Sequence, residues 1–228
     1  MDIQLFYQEK GRGVPMLLLH GNGEDGSYFK YQIEYFSKDY RVIAVDTRGH
    51  GKSPRGTASF SMRQFADDLY AFMDQQKLEQ AILLGFSDGA NIAMQFAIQY
   101  PNKVKLLILN GGNLNAGGIK RSTQFPIEIG YKIAGKFAEK SAAAKKNAEL
   151  LGLMVEEPNI EPSELKAISV PTLVIAGTRD IVKEQHTVLI AESIPNAELT
   201  FIKGGHFIAR KQPEAFNQAV ECFLKKYF

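Results

Sequence analysis

The stretch Ala81-Ile82-Leu83-Leu84-Gly85-Phe86-Ser87-Asp88-Gly89-Ala90 decides how this chain is read. An apolar run from Ala81 to Leu84 enters a G-x-S-x-G pentapeptide, and a helix-like segment from Ala90 to Tyr100 follows at once. A strand that turns sharply into a helix lifts the residue at the turn above the end of a sheet, where a base can reach its hydroxyl. Glycines two places either side of Ser87 allow that turn without a Cβ clash. A chance match to the pentapeptide is expected in roughly one chain of this size in ten. Its weight therefore comes from what flanks it, and from whether an acid and a histidine follow in order.

Outward from this turn, strand-like and helix-like runs alternate. That is the pattern of an α/β protein with a mostly parallel central sheet and helices on both faces. Toward the N-terminus, Asp2 to Gln8 reads as an edge strand, Gly11-Arg12-Gly13 as a turn and Val14 to Leu19 as a buried strand. Tyr28 to Ser37 reads as a helix and Arg41 to Val45 as the next strand. Ser61-Met62-Arg63-Gln64 has capping-box spacing and opens a helix. Met62, Phe65, Leu69, Phe72 and Met73 then recur at helical spacing.

Toward the C-terminus, the helix after Ser87 is apolar nearly all round, which predicts burial, and Pro101 ends it. Val104 to Leu109, Pro171 to Ala176 and Glu198 to Lys203 read as strands, and Asn110 to Gly118 as a loop. A helix is expected from Glu184 to Ile194, and Pro213 opens a last one. Residues 119–168 break the alternation: they hold no strand pattern, and Ile129, Ile133 and Phe137 fall at helical spacing. The expected organisation is a core of residues 1–118 and 169–228 with a small helical insertion, 119–168, placed to act as a lid.

Composition narrows the function class. At 228 residues with 45% hydrophobic and 23% charged content, the chain is expected to fold as one domain with a sizeable core. A net charge of +2 without a basic cluster argues against nucleic acid or a membrane surface as partner. Lys145-Lys146, with Lys132, Lys136 and Lys140 upstream, fits the wet face of a helix. Cys222 is the only cysteine, so no internal disulfide forms, and its place in the C-terminal helix pattern suggests core. Met1-Asp2-Ile3-Gln4 does not read as a signal peptide, and a cytoplasmic protein is expected.

A serine hydroxyl needs a base within hydrogen-bond reach, and the base needs an orienting acid. Of the four histidines, His206 is the best base by position: it follows the Leu199 to Ile202 strand and Gly204-Gly205. The acid is expected between serine and histidine, and Asp180 lies just beyond Leu173 to Gly177. Both sit past the carboxyl ends of strands, where open α/β sheets place their sites. An oxyanion hole requires two backbone N–H groups, expected from Asp88 and from Asn22 in His20-Gly21-Asn22-Gly23. His20 itself reads as a structural anchor.

Together these residues resemble the α/β-hydrolase fold family across nearly the whole chain: His20-Gly21, Asp46-Thr47-Arg48-Gly49-His50-Gly51-Lys52-Ser53, Gly85 to Gly89, Asp180 and His206. The resemblance implies that Asp46 to Ser53 is a structural loop, and that neither metal nor organic cofactor is used. A phosphate loop ending in Gly51-Lys52-Ser53 would need glycine at position 46, which is Asp46. Relatives that are epoxide hydrolases or dehalogenases carry an aspartate nucleophile, against which Ser87 argues. Ser87-Asp88-Gly89 resembles the biphenyl-hydrolase-like, valacyclovir-hydrolase type. There Asp88 would be a substrate-binding residue, pairing with a cationic group such as an amino-acid ammonium; its alternative is a local hydrogen bond.

The expected activity is hydrolysis of small carboxylic esters through an acyl-enzyme on Ser87, with His206 and Asp180. Leu114 and Phe125, with the Ile129/Ile133/Phe137 helix, are expected to shape the pocket. Carbon–carbon bond hydrolysis, cofactor-free haloperoxidase or perhydrolase chemistry, and a small-molecule receptor that keeps the triad remain open. The expected partner is a small-molecule ester, bound by a monomer or homodimer.

Overall fold

The computed structural model describes residues 2–227. Its centre is a seven-stranded sheet: β1 (Tyr7–Lys10), β2 (Val14–Leu19), β3 (Tyr40–Val45), β4 (Ala81–Phe86), β5 (Val104–Asn110), β6 (Thr172–Gly177) and β7 (Ala197–Ile202). In space the order is β1-β3-β2-β4-β5-β6-β7. β1 pairs antiparallel with β3, and every other pairing is parallel. The helices are α1 (Lys30–Phe36), α2 (Met62–Gln75), α3 (Asp88–Gln99), α4 (Arg121–Phe137), α5 (Ala142–Glu156), α6 (Glu184–Ser193), α7 (Ile208–Lys211) and α8 (Pro213–Leu224).

Burial explains the continuous apolar runs. β4 and β6 are buried at every position. On β2, Leu17 and Leu19 pack with Phe65 and Leu69 of α2 and Phe96 of α3. Met16 and Leu18 face the other layer, with Phe36 of α1 and Phe216 and Val220 of α8. Covered on both faces, a parallel strand has no wet side and shows no alternation. In register, Leu19 lies opposite Gly85, Gly85 opposite Leu109, and Asn110 opposite Ile175. The carboxyl ends of the central strands therefore finish together, and the turns leaving them converge.

Several boundaries differ from the sequence expectation. The first strand is Tyr7–Lys10, not Asp2 to Gln8. Asp2 instead accepts hydrogen bonds from Arg48, while Ile3 and Leu5 join the core. The capping box forms by half: Gln64 N–H donates to Ser61 Oγ, but the Gln64 side chain turns to Asp68. Cys222 is exposed rather than core.

The insertion is a helix pair, α4 and α5, between β5 and β6. It is tied to the core by polar contacts. Arg55 clamps Glu149 with donors at 2.8 and 3.1 Å, and the Met62 N–H at the start of α2 donates to Glu157. Among the described residues no helix is long and apolar enough to cross a membrane.

Candidate active site

Ser87 stands where β4 stops and α3 starts, with φ 53° and ψ −120°. A positive φ is uncommon for a residue with a side chain and persists only where the surroundings hold it. Here the Ser87 N–H donates to the Asn110 carbonyl at 2.8 Å, and the Ser87 carbonyl accepts from Ala90 and Asn91. Gly85 and Gly89 are dictated by space. A Cβ on Gly85 would meet the Gly89 carbonyl oxygen at 2.2 Å, and one on Gly89 would meet the Leu19 carbonyl oxygen at 1.9 Å.

His206 leaves the turn after β7, and its Nε2 lies 3.0 Å from Ser87 Oγ. Its Nδ1 is 2.7 Å from Asp180 Oδ1, in the turn after β6. Asp180 also accepts from the Val182 and Gly177 N–H groups at 3.0 and 3.4 Å. Burial pushes the Asp180 carboxyl up, but the His206 hydrogen bond and charge, with those two amides, outweigh it and hold it below the ordinary carboxylate value. An ionised carboxylate only accepts, so the proton of a neutral His206 sits on Nδ1 and Nε2 presents a lone pair to Ser87. Gly111, with φ 64°, leaves room for the imidazole: a Cβ there would sit 2.9 Å from His206 Cε1.

Asn22 and Asp88 flank this hydroxyl. Asp88 is the first residue of α3, where backbone N–H groups have no intrahelical acceptor. The Asp88 side chain is buried, and its Oδ2 accepts from Asn22 Nδ2 at 2.8 Å. Asn22 Nδ2 also donates to the Leu150 carbonyl of α5 at 2.8 Å. One amide thus ties the β2 turn, the start of α3 and the insertion. Burial raises the Asp88 carboxyl to about 6, opposed by the Asn22 hydrogen bond and the charge of His206.

The remaining histidines are used differently. The Thr47 N–H donates to His20 Nε2 at 3.0 Å, which leaves the His20 proton on Nδ1, facing the Gly21 carbonyl at 2.8 Å. His186 Nε2 accepts from the Leu114 N–H. His50 Nδ1 lies 2.9 Å from the Arg48 carbonyl, and burial, with the charge of His20, lowers its pKa to about 4.

The profile of the alpha/beta hydrolase fold matches residues 14–147. The chain belongs to the α/β-hydrolase family. It is 28% identical to 3-oxoadipate enol-lactonase 2 of Acinetobacter baylyi, over 99% of this chain and 95% of the relative. It is 27% identical to an (E)-2-((N-methylformamido)methylene)succinate hydrolase of the same organism, over 96% and 93%. Among solved structures, a thermophilic esterase from Thermogutta terrifontis superposes with a TM-score of 0.83 at 26% identity, covering 98% of this chain and 94% of that one.

In this hydrolase Ser87 and His206 open onto a cleft of about 290 Å³, walled by Asn22, Glu24, Phe86, Met154, Ile181 and Phe207. Two larger cavities, of about 520 and 660 Å³, lie along α5 beside Phe60. They hold none of the Ser87–His206–Asp180 chain, so the candidate site is the smaller one.

Three residues expected at the substrate lie elsewhere. Leu114 is fully buried in the core, its carbonyl accepting from the Ile160 N–H. Phe125 is 51% exposed on α4 under the Arg121 guanidinium, and Ile129, Ile133 and Phe137 continue that exposed stripe. Helical periodicity identified the stripe but not what covers it. The Asp88 carboxylate is taken by Asn22 and does not line the cleft.

The wall residues missed from sequence have a partial signal. Ile181 and Phe207 directly follow Asp180 and His206, and Glu24 is in the loop that carries Asn22. Met154 arrives from α5, for which no local sequence signal exists.

Proposed function

We propose that this protein is a serine hydrolase of small carboxylic esters working through an acyl-enzyme. The observation that carries the proposal is the hydrogen-bonded chain Asp180–His206–Ser87, with contacts of 2.7 and 3.0 Å, ending on a hydroxyl at the mouth of a cleft. Ser87 Oγ attacks the ester carbonyl while His206 Nε2 takes its proton. Asp180 holds the imidazole in register and stabilises the imidazolium. The developing oxyanion takes hydrogen bonds from the backbone amides of Asn22 and Asp88. Neither amide donates to a protein acceptor among the described residues, which supports that role.

His206 then returns the proton to the leaving alcohol. Water, deprotonated by the same nitrogen, cleaves the acyl-enzyme to the acid and free Ser87. The esterase and lactonase among the similar proteins support an ester bond as the target. α5 acts as the lid in this reading, since Met154 reaches the cleft and Leu150 holds Asn22.

Ser87→Ala is the test. With p-nitrophenyl butyrate, wild type is expected to release p-nitrophenol with saturable kinetics. The variant should lose on the order of 10⁴-fold or more in kcat at an unchanged melting temperature. Wild-type-like turnover by a folded variant would overturn the mechanism.

A further inference from the structure

The proposed mechanism leaves one carboxyl in the cleft without a task. Glu24 lines the cleft beside Ser87 and His206. Its Oε2 accepts from the Gly21 N–H at 3.3 Å, and Oε1 accepts no hydrogen bond from any described residue. No lysine or arginine lines this cleft. Its remaining walls are largely apolar and include the aromatic rings of Phe86 and Phe207. A carboxylate in a cleft that also presents aromatic rings is chemistry that receives an ammonium group, by charge and by the ring quadrupole.

Glu24 also forms part of a second cavity, of about 340 Å³, with Asp25, Tyr28, Lys30 and Arg210. Tyr28 stacks on Phe86 at 4.4 Å, and its buried hydroxyl has no hydrogen-bond partner. The phenol stays neutral, since burial and then Glu24 push its pKa up. Burial raises the Glu24 carboxyl to about 7; Arg210 and His206 pull it down and Asp25 pushes it up. Arg210 is exposed and forms no ion pair with Glu24 among the described residues. The carboxylate is left without a protein cation of its own in the cleft.

We infer that Glu24 is a specificity residue that receives a cationic group of the substrate, so that this hydrolase prefers small esters carrying an ammonium over neutral ones and disfavours anionic ones. The inference rests on Ser87 being the nucleophile. It separates this chain from the two relatives named for oxoadipate and succinate compounds, which are carboxylates. A carboxylate substrate entering here would meet Glu24 with no cation in the cleft to offset it.

The test uses two isosteric pairs, one for each side of the ester. The acyl pair is the p-nitrophenyl esters of betaine and of 3,3-dimethylbutanoic acid. The alcohol pair is butyrylcholine and 3,3-dimethylbutyl butyrate. Each pair swaps a quaternary nitrogen for carbon at nearly constant shape. The readout is the cationic-to-neutral ratio of kcat/KM in wild type and Glu24→Gln; Gln keeps an acceptor for the Gly21 N–H.

At about pH 8 the cationic-to-neutral ratio in at least one pair should be about five- to tenfold higher in wild type than in Glu24→Gln, a comparison from which the intrinsic reactivity of each ester divides out. The wild-type ratio should fall toward about pH 6 as Glu24 takes a proton, and stay flat in the variant. Both members of a pair pass through the same Ser87 chemistry, so the pH dependence of that chemistry divides out, and the probe carries a permanent charge. A ratio that Glu24→Gln leaves unchanged in both pairs would overturn the inference while leaving the esterase reading in place. Absence of turnover of all four esters by folded wild type would instead remove the esterase reading itself.

Discussion

Two clusters of acid, histidine and hydroxyl stand at the carboxyl edge of the same sheet, and they differ in where their hydrogen bonds lead. In the first, after β2 and β3, His20 Nε2 lies 3.3 Å from Thr47 Oγ1, and Thr47 Oγ1 lies 3.2 Å from His50 Nδ1. Asp46 accepts from the Gly26 and Lys52 N–H groups at 2.8 Å each, so its carboxylate braces two loops and does not orient a ring. In the second, Asp180 orients His206, and His206 ends on a hydroxyl that opens to a cleft. Residue types alone do not distinguish the two. What differs is where the chain of hydrogen bonds ends: on backbone in one, on an accessible oxygen in the other.

The largest expected effect that would break this contrast is on turnover. Asp180→Asn should lose about 10³- to 10⁴-fold in kcat, because an amide in place of the carboxylate no longer fixes the proton on His206 Nδ1. Thr47→Val, in the first cluster, should change kcat/KM by less than about twofold, its cost falling on stability. Equal losses of activity in the two variants would erase the distinction.

The next effect is on stability. Arg48 is fully buried and makes 2.7 Å contacts to both oxygens of Asp68, with a further pair to Asp2. Arg48→Met strands the Asp68 carboxylate in the core, and denaturant unfolding should show a loss of about 3–5 kcal/mol. Soluble variant should keep wild-type kcat, since among the described residues the hydrogen-bond partners of Arg48 lie outside the cleft lining.

A smaller effect sharpens the role of Asp88. Its folded-state pKa, about 6, lies above the ordinary aspartate value of 3.8. Between these values the folded state binds more protons, so this contribution to stability is present in acid and is lost as pH rises through about 6. Asp88→Asn removes that loss and keeps an acceptor for Asn22. It should be more stable than wild type by about 1–3 kcal/mol near pH 8, with the advantage gone below about pH 4. An advantage that persists in acid would mean that the carboxylate is not the source.

The sequence made the sheet legible and the insertion much less so, for a physical reason. β4 and β6 are buried at every position, and β2 and β5 over most of their length, so each carries an apolar run, and turn residues mark their ends. Ser87, Asp180 and His206 each follow a strand end closely, so chain order sufficed to single them out as candidates, and the structure brings them within hydrogen-bond reach. Asp2 to Gln8 misled because Ile3 and Leu5 are apolar through core packing, without pairing in the sheet.

The pocket was not legible, because its walls come from four separate connections brought together by the sheet. Phe125, Ile129, Ile133 and Phe137 carried the strongest periodic signal in the insertion, and they lie exposed on α4, outside the lining of the cleft. Met154 carried none and lines it. For the carboxyls, sequence drew attention to Asp88 beside the nucleophile. The structure ties that one to Asn22 and turns attention to Glu24.

The most direct test of the central claim is fluorophosphonate labelling of the folded protein, followed by intact-mass measurement and peptide mapping. An activated serine at the end of the Asp180–His206 chain should give one adduct per chain, on Ser87, with labelling slowed strongly in Asp180→Asn. No adduct, or one on a residue other than Ser87, would contradict the account.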